Sequence, residues 1–458
     1  MAMRPARPVS EAGSNGRRGW VDGFVELIRP DQSPGLAIAL LLLVAIPGLA
    51  YAIGGVPHLG RLGLASTDVL SYHTVTRLLL AGVRPYSPAF HGRQPFIYPP
   101  GIFVFLLLPD IAGARYLFAF AVEMLALVLV GSALLARWAR NSTGVAGGVG
   151  WPTLALLCAA GPVTLWRPDP AIGLLLAAAA LAWHDRRRAA AFVLVALAGL
   201  IKDYGWVAFI PMSAMQLGDS QALASAILGR TVRVVKAALP SVALLVVVGV
   251  AFTIWSHGGL IHSQLQNLSR GVEVESLAAG VAITALLSQQ VTVRMGELGS
   301  MQISGAGLHL PLLALGFACL GGAAVLVVAW YAYRQEIGAG TALAATIAAA
   351  MVATPVLSPQ YFDALLPCLV IAAAELAYPE RGRLLCLGML LALLTQLEFP
   401  YLWLAVLALH PYAVAVLEVR NLLLLMLLAT LLVWHKRSLA PAVMPPASVR
   451  WAGGPADP

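Results

Sequence analysis

The residues whose chemistry stands out first are Asp68 and the polar side chains around it. Residues 66–73 read Ser-Thr-Asp-Val-Leu-Ser-Tyr-His, and the loop that contains them closes at residues 96–101, Phe-Ile-Tyr-Pro-Pro-Gly. This loop follows the first long hydrophobic run of a very apolar chain. A carboxylate at the point where a chain leaves the bilayer is well placed to act on a substrate at the membrane surface.

Three roles are open to Asp68 from the sequence alone: general base, metal ligand or helix N-cap. Ser66, Thr67 and Asp68 all suit the capping of a helix that follows them. Residues 68–81 have apolar side chains at roughly helical spacing with polar ones between them. This pattern predicts an amphipathic helix that lies in the membrane interface.

Positively charged side chains at outer helix ends form a second candidate group, because outer loops of membrane proteins are depleted of them. Arg167 and Lys202 fall at predicted outer ends of hydrophobic runs, and Arg77 lies in the first outer loop. Arginine and lysine neutralise phosphate oxygens, so a cationic surface facing Asp68 would suit a phosphate-bearing substrate. The alternative for each cation is an extended side chain that reaches the lipid headgroups.

A polar break at Gln360 and Tyr361 separates two apolar runs. A simple turn accounts for this break, but an amide and a phenol at the edge of the bilayer could also bind a polar headgroup. Asp169 and Asp203, near the two cations, are open to the same chemical roles as Asp68, with turn formation as the structural alternative. The Pro-Pro pair at residues 99–100 is interpreted as the start of a helix.

The composition places these residues in a membrane protein. The chain has 458 residues, of which 60% are hydrophobic and 11% charged, whereas about a quarter of an ordinary soluble protein is charged. Many apolar runs approach the ~20 residues that a helix needs to cross hydrocarbon. The runs lack the alternation of a barrel strand, so we predict an all-α polytopic integral membrane protein.

The net charge of +8 and the four cysteines have ordinary explanations in such a protein. The basic residues fall in short clusters beside apolar runs, which is the orientation signal of a membrane protein, and nucleic-acid binding is not expected. The cysteines lie singly inside apolar runs, so neither a disulfide framework nor a metal-binding spacing is predicted.

The predicted organisation is one membrane domain between two tails. Residues 1–34 and 438–458 are predicted to be disordered, and arginines before the first run place the N-terminus in the cytoplasm. The domain at 35–437 is expected to hold roughly 11 to 13 spans. Its long extracytoplasmic loops, 54–97 and 257–308, are expected to carry function, and residues 277–287 are a second candidate interfacial helix.

Two regions leave the number of spans open. Residues 98–137 look like two spans broken at Pro109 and Asp110, but two spans would leave Arg137 and Arg140 outside. One of the two pieces is therefore predicted to be short or re-entrant. Residues 401–418 either cross the membrane or lie on its outer surface, and the basic residues at 436–437 favour the surface.

Four stretches together resemble a known family. They are residues 68–72 with 81–86, residues 96–100, the segment from Pro168 to Lys202, and residues 357–361. The pattern resembles the GT-C glycosyltransferases, and within them glycosyltransferase family 87, the polyprenyl-phosphate-mannose-dependent mannosyltransferases. The stretches span most of the chain in family order, and the first two are the more specific.

The resemblance implies a GT-C-like helix bundle that transfers mannose, with inversion, from a polyprenyl-phosphate donor to a glycolipid or glycan of the cell envelope. The transfer would occur at the extracytoplasmic face of the plasma membrane. Asp68 would be the catalytic base, and Lys202 matches the lysine expected at the donor phosphate. Residues assigned to binding the donor phosphate or sugar are Arg167, Arg77, Tyr72, Tyr98, Gln360 and Tyr361.

Physical reasoning agrees with a lipid donor, because such an enzyme needs a cavity at headgroup depth, cations for the phosphate and one base. Phosphate is a good leaving group, so one carboxylate suffices where a glycosidase uses two. No cofactor is expected; metal independence is favoured and a divalent cation stays open. A transporter or flippase of a polyprenyl-linked glycan is the alternative, and a non-catalytic scaffold is a third class.

Overall fold

The structure is a computed structural model that describes residues 34–54, 60–92, 95–142, 145, 148–219, 227–285, 291–296, 298–305 and 309–438. The two predicted tails fall almost entirely outside these residues, as do parts of both long outer loops. The described chain is helical almost throughout, with several long apolar helices. It is an all-α polytopic membrane protein, as the sequence predicts.

The described chain contains eighteen α-helices, which fall into two halves. The first half contains α1 Pro34–Gly54, α2 Gly60–Leu80, α3 Phe103–Leu107, α4 Tyr116–Ala139, α5 Gly150–Ala159, α6 Val163–Trp166, α7 Asp169–His184, α8 Arg188–Ile201 and α9 Phe209–Gly218. The second half contains α10 Ile227–Trp255, α11 Gly259–Leu268, α12 Leu277–Ala285, α13 Leu310–Tyr333, α14 Ala339–Ala353, α15 Tyr361–Ala374, α16 Glu380–Gln396, α17 Trp403–Leu407 and α18 Pro411–Ser438.

The apolar helices fall into two length classes. Among the described residues, 6 segments are long and apolar enough to cross a membrane: Pro34–Ile53, Pro100–Ala139, Gly229–Trp255, Leu310–Tyr333, Glu380–Tyr401 and Pro411–Trp434. Five further apolar helices, α5, α7, α8, α14 and α15, have 10–17 residues. The predicted total of roughly 11 to 13 spans therefore depends on these shorter helices also crossing.

The segment between residues 98 and 139 contains one long helix preceded by a short broken piece. Pro100–Ile102, α3 and the turn Leu108–Arg115 form the short piece. Gly113 ends it with φ of 54°, a left-handed conformation that glycine adopts without steric cost. The 24-residue helix α4 then begins at Tyr116. The prediction that one of the two pieces is short is confirmed.

The second ambiguous region, around residues 400–420, contains no additional long helix. The irregular turn Leu397–Tyr401 and the 5-residue helix α17 lead into α18, which is unbroken from Pro411 to Ser438. A five-residue helix is far too short to cross hydrocarbon. This arrangement agrees with the prediction that the start of the region lies on the outer surface and does not cross the membrane.

The core of the domain is built from closely packed helices with small side chains. Helices α7, α8, α14 and α15 pack against one another, and most of their alanines are fully buried. A Cβ atom on Gly173 of α7 would lie 2.5 Å from the backbone oxygen of Asp363 on α15, so only glycine permits this approach. Such small-residue contacts are typical of helix packing in membranes, where backbones approach closely.

An aromatic cluster holds the first long loop against the helices. Phe90 and Phe96 of the loop pack on Phe103 of α3, and the rings of Phe96 and Phe103 are stacked with centroids 5.4 Å apart. Tyr86 joins them, and its hydroxyl donates to the backbone oxygen of Tyr98 at 2.8 Å. Burial of these rings fixes the loop beside α2. The sequence predicts a helix that begins at residue 68, whereas α2 begins earlier, at Gly60.

The second long loop folds back on the helices. It contains α11, α12 and an antiparallel hairpin of β1 Thr292–Met295 and β2 Met301–Ser304, a short exception to the all-α architecture. Val274 donates from its backbone nitrogen to Met301 at 2.9 Å, which joins the hairpin to the start of α12. Helix α12 overlaps the second candidate interfacial helix, predicted at residues 277–287. Most of its side chains are buried, however, and the helix packs against α13 and α18.

Candidate functional site

Asp68 lies on α2, which begins eight residues before it at Gly60. This places Asp68 about two turns inside the helix, so the N-cap role considered from the sequence is wrong. The carboxylate is 37% exposed, and its Oδ2 is 3.0 Å from Nη2 of Arg167. Helix α2 packs against α6, which ends immediately before Arg167, and this contact brings the two side chains together.

Arg167 occupies the extended link between α6 and α7, with φ of −140° and ψ of 147°. The residue is 6% exposed, and Nη1 donates to the backbone oxygen of Trp166 at 3.0 Å. A side chain so deeply buried does not extend to the headgroups, so the alternative of a snorkelling arginine is wrong. Arg167 instead holds the carboxylate of Asp68 in a fixed position.

Lys202 follows the last residue of α8 and is also buried, at 8% exposure. Its Nζ donates to Oδ1 of Asp169 at 2.9 Å, and the hydroxyl of Tyr204 donates to the same oxygen at 2.6 Å. The ammonium lies 4.5 Å from the ring centroid of Tyr361, within range of a cation–π contact. Asp169, for which the sequence leaves a chemical role and turn formation both open, is therefore the buried counter-ion of Lys202.

These groups line one cavity of about 750 Å³. Of the residues predicted to form the site, the structure brings together on its walls Asp68, Arg167, Lys202, Tyr98, Gln360 and Tyr361. They come from segments separated by up to three hundred residues of sequence, and the helix connections bring them to one place. A cavity of this size is typical of small-molecule sites.

The turn after Tyr98 explains how that residue reaches the cavity. A Cβ atom on Gly101 would lie 2.7 Å from the backbone oxygen of Leu200, so the turn at 99–101 packs directly on the end of α8. The hydroxyl of Tyr72 donates to that of Tyr98 at 3.3 Å. Burial raises the pKa of Tyr98, so its phenol stays neutral and can act as a hydrogen-bonding group.

Two predicted binding residues are not on the cavity wall. Tyr72 is 2% exposed and lies behind Tyr98, to whose hydroxyl its own hydroxyl donates a hydrogen bond. Arg77 is not in the site: its side chain is 65% exposed and lies 3.6 Å from Asp110. The assignment of Arg77 to donor binding is therefore not supported, since another carboxylate already holds it away from Asp68.

The second long loop contributes charged residues that the sequence reasoning missed. Nη2 of Arg270 donates to Oε1 of Glu273 at 2.6 Å, and the hydroxyl of Ser358 donates to Oε2 of Glu273 at 3.4 Å. Glu275 lines the same cavity. The sequence around Arg270, Glu273 and Glu275 contains no motif that predicts a site. The second long loop reaches the cavity only because it folds back over α14 and α15.

Burial reduces the negative charge of the cavity. Its lining includes three cations and four carboxylates: Arg167, Lys202, Arg270, Asp68, Asp203, Glu273 and Glu275. Burial raises the pKa of Asp203 to about 6 and that of Glu273 to about 7. Near neutral pH a substantial fraction of Glu273 is therefore uncharged, which makes the cavity more favourable to an anionic ligand.

Within the described part of the chain, no group of three or more His, Cys, Asp or Glu side chains is arranged to hold a metal ion. The four cysteines are free, and three of them are buried.

Comparison with known proteins adds no family to this description. No protein-family model matches the sequence, and no curated protein matches it. The fold and cavity define a polytopic helical membrane protein with a buried, charged site beside one set of helix ends. The function of that site has to be argued from its own chemistry.

Proposed function

We propose that the protein is a membrane glycosyltransferase that moves a sugar, expected to be mannose, from a polyprenyl-phosphate donor to a glycolipid or glycan of the cell envelope. The single observation that carries this proposal is the convergence of Asp68 with the buried cations Arg167 and Lys202 on one cavity. The site is proposed to face the extracytoplasmic side of the plasma membrane, because basic clusters mark the other ends of the helices.

The proposed reaction needs one base and a stabilised leaving group. Asp68 takes the proton of the acceptor hydroxyl as that oxygen attacks the anomeric carbon of the sugar. The bond from the anomeric carbon to the phosphate oxygen breaks, and its electron pair leaves on polyprenyl phosphate. Attack from the face opposite the leaving phosphate inverts the anomeric configuration. Arg167 and Lys202 stabilise the charge that develops on the phosphate.

The rim of the cavity suits a lipid substrate. Leu268, Met295 and Leu404 line the cavity, and their side chains are 82%, 69% and 61% exposed, respectively. Exposed apolar residues beside a charged interior match a carrier whose polyprenyl chain lies in the bilayer while its phosphate enters the protein. The same arrangement would not favour a water-soluble sugar nucleotide.

The alternative, a transporter or flippase of a polyprenyl-linked glycan, receives support from one observation. A transporter is expected to have charged residues deep among its helices, and Arg420 on α18 is fully buried against Glu398. These groups lie outside the wall that holds Asp68 and Lys202. We therefore favour chemistry at the cavity over transport, and the experiment below separates the two.

The purified protein in vesicles, supplied with isotope-labelled polyprenyl-phosphate-mannose and a membrane-lipid extract as acceptor, tests the proposal. A glycosyltransferase converts the donor to free polyprenyl phosphate and yields a labelled mannosylated product. A flippase leaves the donor chemically intact and moves it between leaflets. Movement of intact donor without conversion would contradict the proposal, and vesicles without protein are the control.

Lys202 gives a prediction about donor binding. The double variant Lys202→Met with Asp169→Asn removes both charges of the buried pair, so neither is left unpaired. We expect the KM for the donor to rise about 10-fold or more, because hydrogen bonds to charged groups contribute roughly 1.5–3 kcal/mol. Steady-state kinetics against donor concentration measure the change.

The matched control for that experiment is the single variant Asp169→Asn, which keeps the ammonium of Lys202. It should bind donor at least as well as the double variant does. If the double variant has the wild-type KM at full thermal stability, Lys202 does not bind the donor phosphate.

Glu273 gives a prediction about pH. Its pKa of about 7 means that the carboxyl is mostly neutral below pH 7 and mostly charged above it. The added negative charge opposes an anionic donor, so the KM for the donor should rise as pH increases from 6 to about 8. The Glu273→Gln variant should lose this pH dependence. An identical pH profile in the variant would show that another group causes it.

A further inference from the structure

A second polar cavity lies at the opposite end of α7 from Asp169. Asp169 and His184 are the first and last of the 16 residues of α7, so the cavity lies about 22 Å from the proposed site along the helix axis. Its volume is about 580 Å³ and its lining residues are Trp138, Asn141, His184, Asp185, Arg186 and Arg187. It belongs to the predicted cytoplasmic face, because it contains a cluster of arginines.

The acidic group of this cavity already has a partner, whereas two of its basic groups pair with no carboxylate among the residues that the structure describes. Nε1 of Trp138 donates to Oδ2 of Asp185 at 2.5 Å. Arg188, the next arginine along the chain, binds Asp219 at 2.8 Å. Arg186 and Arg187 are exposed, and within the described residues no carboxylate pairs with either side chain. The cavity therefore presents two available guanidinium groups.

An apolar groove between α4 and α7 adjoins this polar cavity. It has a volume of about 520 Å³, and it shares Trp138 and Asn141 with the polar cavity. Its walls are the facing sides of α4 and α7: Leu127, Gly131, Leu134, Leu135, Leu174 and Leu175. Arg137 lies on the wall of the groove near the polar end.

The length of the groove matches one leaflet of a bilayer. From Leu127 to Arg137, α4 rises about 15 Å, which is half of the ~30 Å hydrocarbon core. Leu134 is 60% exposed within this groove, so an acyl chain could lie directly against it. The polar end is then at the depth of the headgroups.

We propose that these two adjoining cavities bind one anionic phospholipid of the cytoplasmic leaflet. Arg186, Arg187 and Arg137 hold its phosphate, and one acyl chain occupies the groove between α4 and α7. Charge complementarity selects an anionic headgroup, since basic pockets between membrane helices on the cytoplasmic side bind such lipids. The site is separate from the proposed transfer cavity and does not depend on it.

Native mass spectrometry of the purified full chain in detergent tests this site with dioleoyl phosphatidylglycerol as the probe. The double variant Arg186→Ala with Arg187→Ala should bind the lipid roughly 30-fold more weakly, since each arginine near an anionic headgroup contributes about a fivefold factor. The variant Leu134→Trp fills the groove and should also weaken binding. Arg383→Ala, which removes an exposed arginine at another helix end, and Leu326→Trp, at an exposed position on α13, are the matched controls.

Three further measurements decide the identity of the ligand. Dioleoyl phosphatidylcholine should bind at least tenfold more weakly than the glycerol lipid, and inorganic phosphate alone should not compete with that lipid at millimolar concentration. Equal binding of both lipids, or full competition by phosphate, would overturn the proposal. Equal effects of the site variants and the controls would overturn it as well, and so would preferential binding of polyprenyl phosphate at this end of the protein.

Discussion

Replacing Asp68 by Asn is expected to lower kcat for sugar transfer about 10²-fold or more, because the amide cannot accept the proton of the acceptor hydroxyl. The shape of the side chain is retained, and the carboxylate that is lost is 37% exposed. Because Arg167 is buried while Asp68 is partly exposed, loss of the ion pair should cost more than the ~1 kcal/mol of an exposed pair and less than the about 3–5 kcal/mol of a fully buried one. Turnover by purified protein, with thermal unfolding in the same detergent, measures both quantities.

The matched control for Asp68 is Asp203→Asn, which neutralises another carboxylate of the same cavity. Asp203 accepts a hydrogen bond from Asn267 at 3.2 Å and lies on a different segment from the proposed base. We expect it to retain most of the turnover. Comparable losses in both variants would mean that the cavity responds to charge in general, and full activity of Asp68→Asn would rule out the mechanism.

The largest expected effect on stability belongs to Arg420 on α18. The residue is fully buried; Nη1 donates to Oε2 of Glu398, and Nη2 donates to the backbone oxygen of Glu275 at 2.7 Å. Arg420→Met leaves the carboxylate of Glu398 buried without its partner. Breaking a buried ion pair in this way costs about 3–5 kcal/mol. Unfolding in mixed detergent micelles measures the loss.

A second variant separates the lost pair from lost packing. Arg420→Met combined with Glu398→Gln removes both charges of the pair and should recover part of the stability. Glu275 lines the proposed transfer cavity, so Arg420→Met should also lower activity by displacing the second long loop. A loss under about 1 kcal/mol, or a double variant no more stable than the single one, would contradict this account of the cluster.

Much of the architecture follows from the sequence, because hydrophobic length is a direct physical signal in a membrane protein. Asp68 and Lys202 could be identified from the sequence as candidate site residues for a similar reason. A carboxylate after the first span and a lysine at the end of an apolar run both lie where charges need a specific cause. Their convergence on one cavity did not follow from local pattern, since it depends on the packing of α2 against α6 and of the turn Pro100–Ile102 against α8.

Arg77 shows how helix geometry could have improved the prediction. It lies nine residues after Asp68 on the same helix, which is about two and a half turns, so it emerges on the opposite side. Tyr72, four residues after Asp68, shares the face of Asp68. The apolar pattern predicts the helix, and the rotation along the helix decides which of its polar residues share the side of Asp68.

The buried cluster of Arg420 was beyond the reach of sequence patterns. Arg420 lies inside a long apolar run, and its partners Glu398 and Glu275 are 22 and 145 residues away. The folded loops supply protein atoms around α18, so an arginine within this helix is enclosed by protein and not by lipid.

The most direct test of the central claim is the accessibility of position 68 to a membrane-impermeant thiol reagent. The variant Asp68→Cys is made together with Cys319→Ala, because Cys319 is the one exposed native cysteine. In sealed vesicles we expect labelling only from the extracytoplasmic side, and we expect polyprenyl-phosphate-mannose to slow it while free mannose does not. Labelling only from the cytoplasmic side, or labelling that saturating donor leaves unchanged, would contradict the placement of Asp68 in an outward-facing donor cavity.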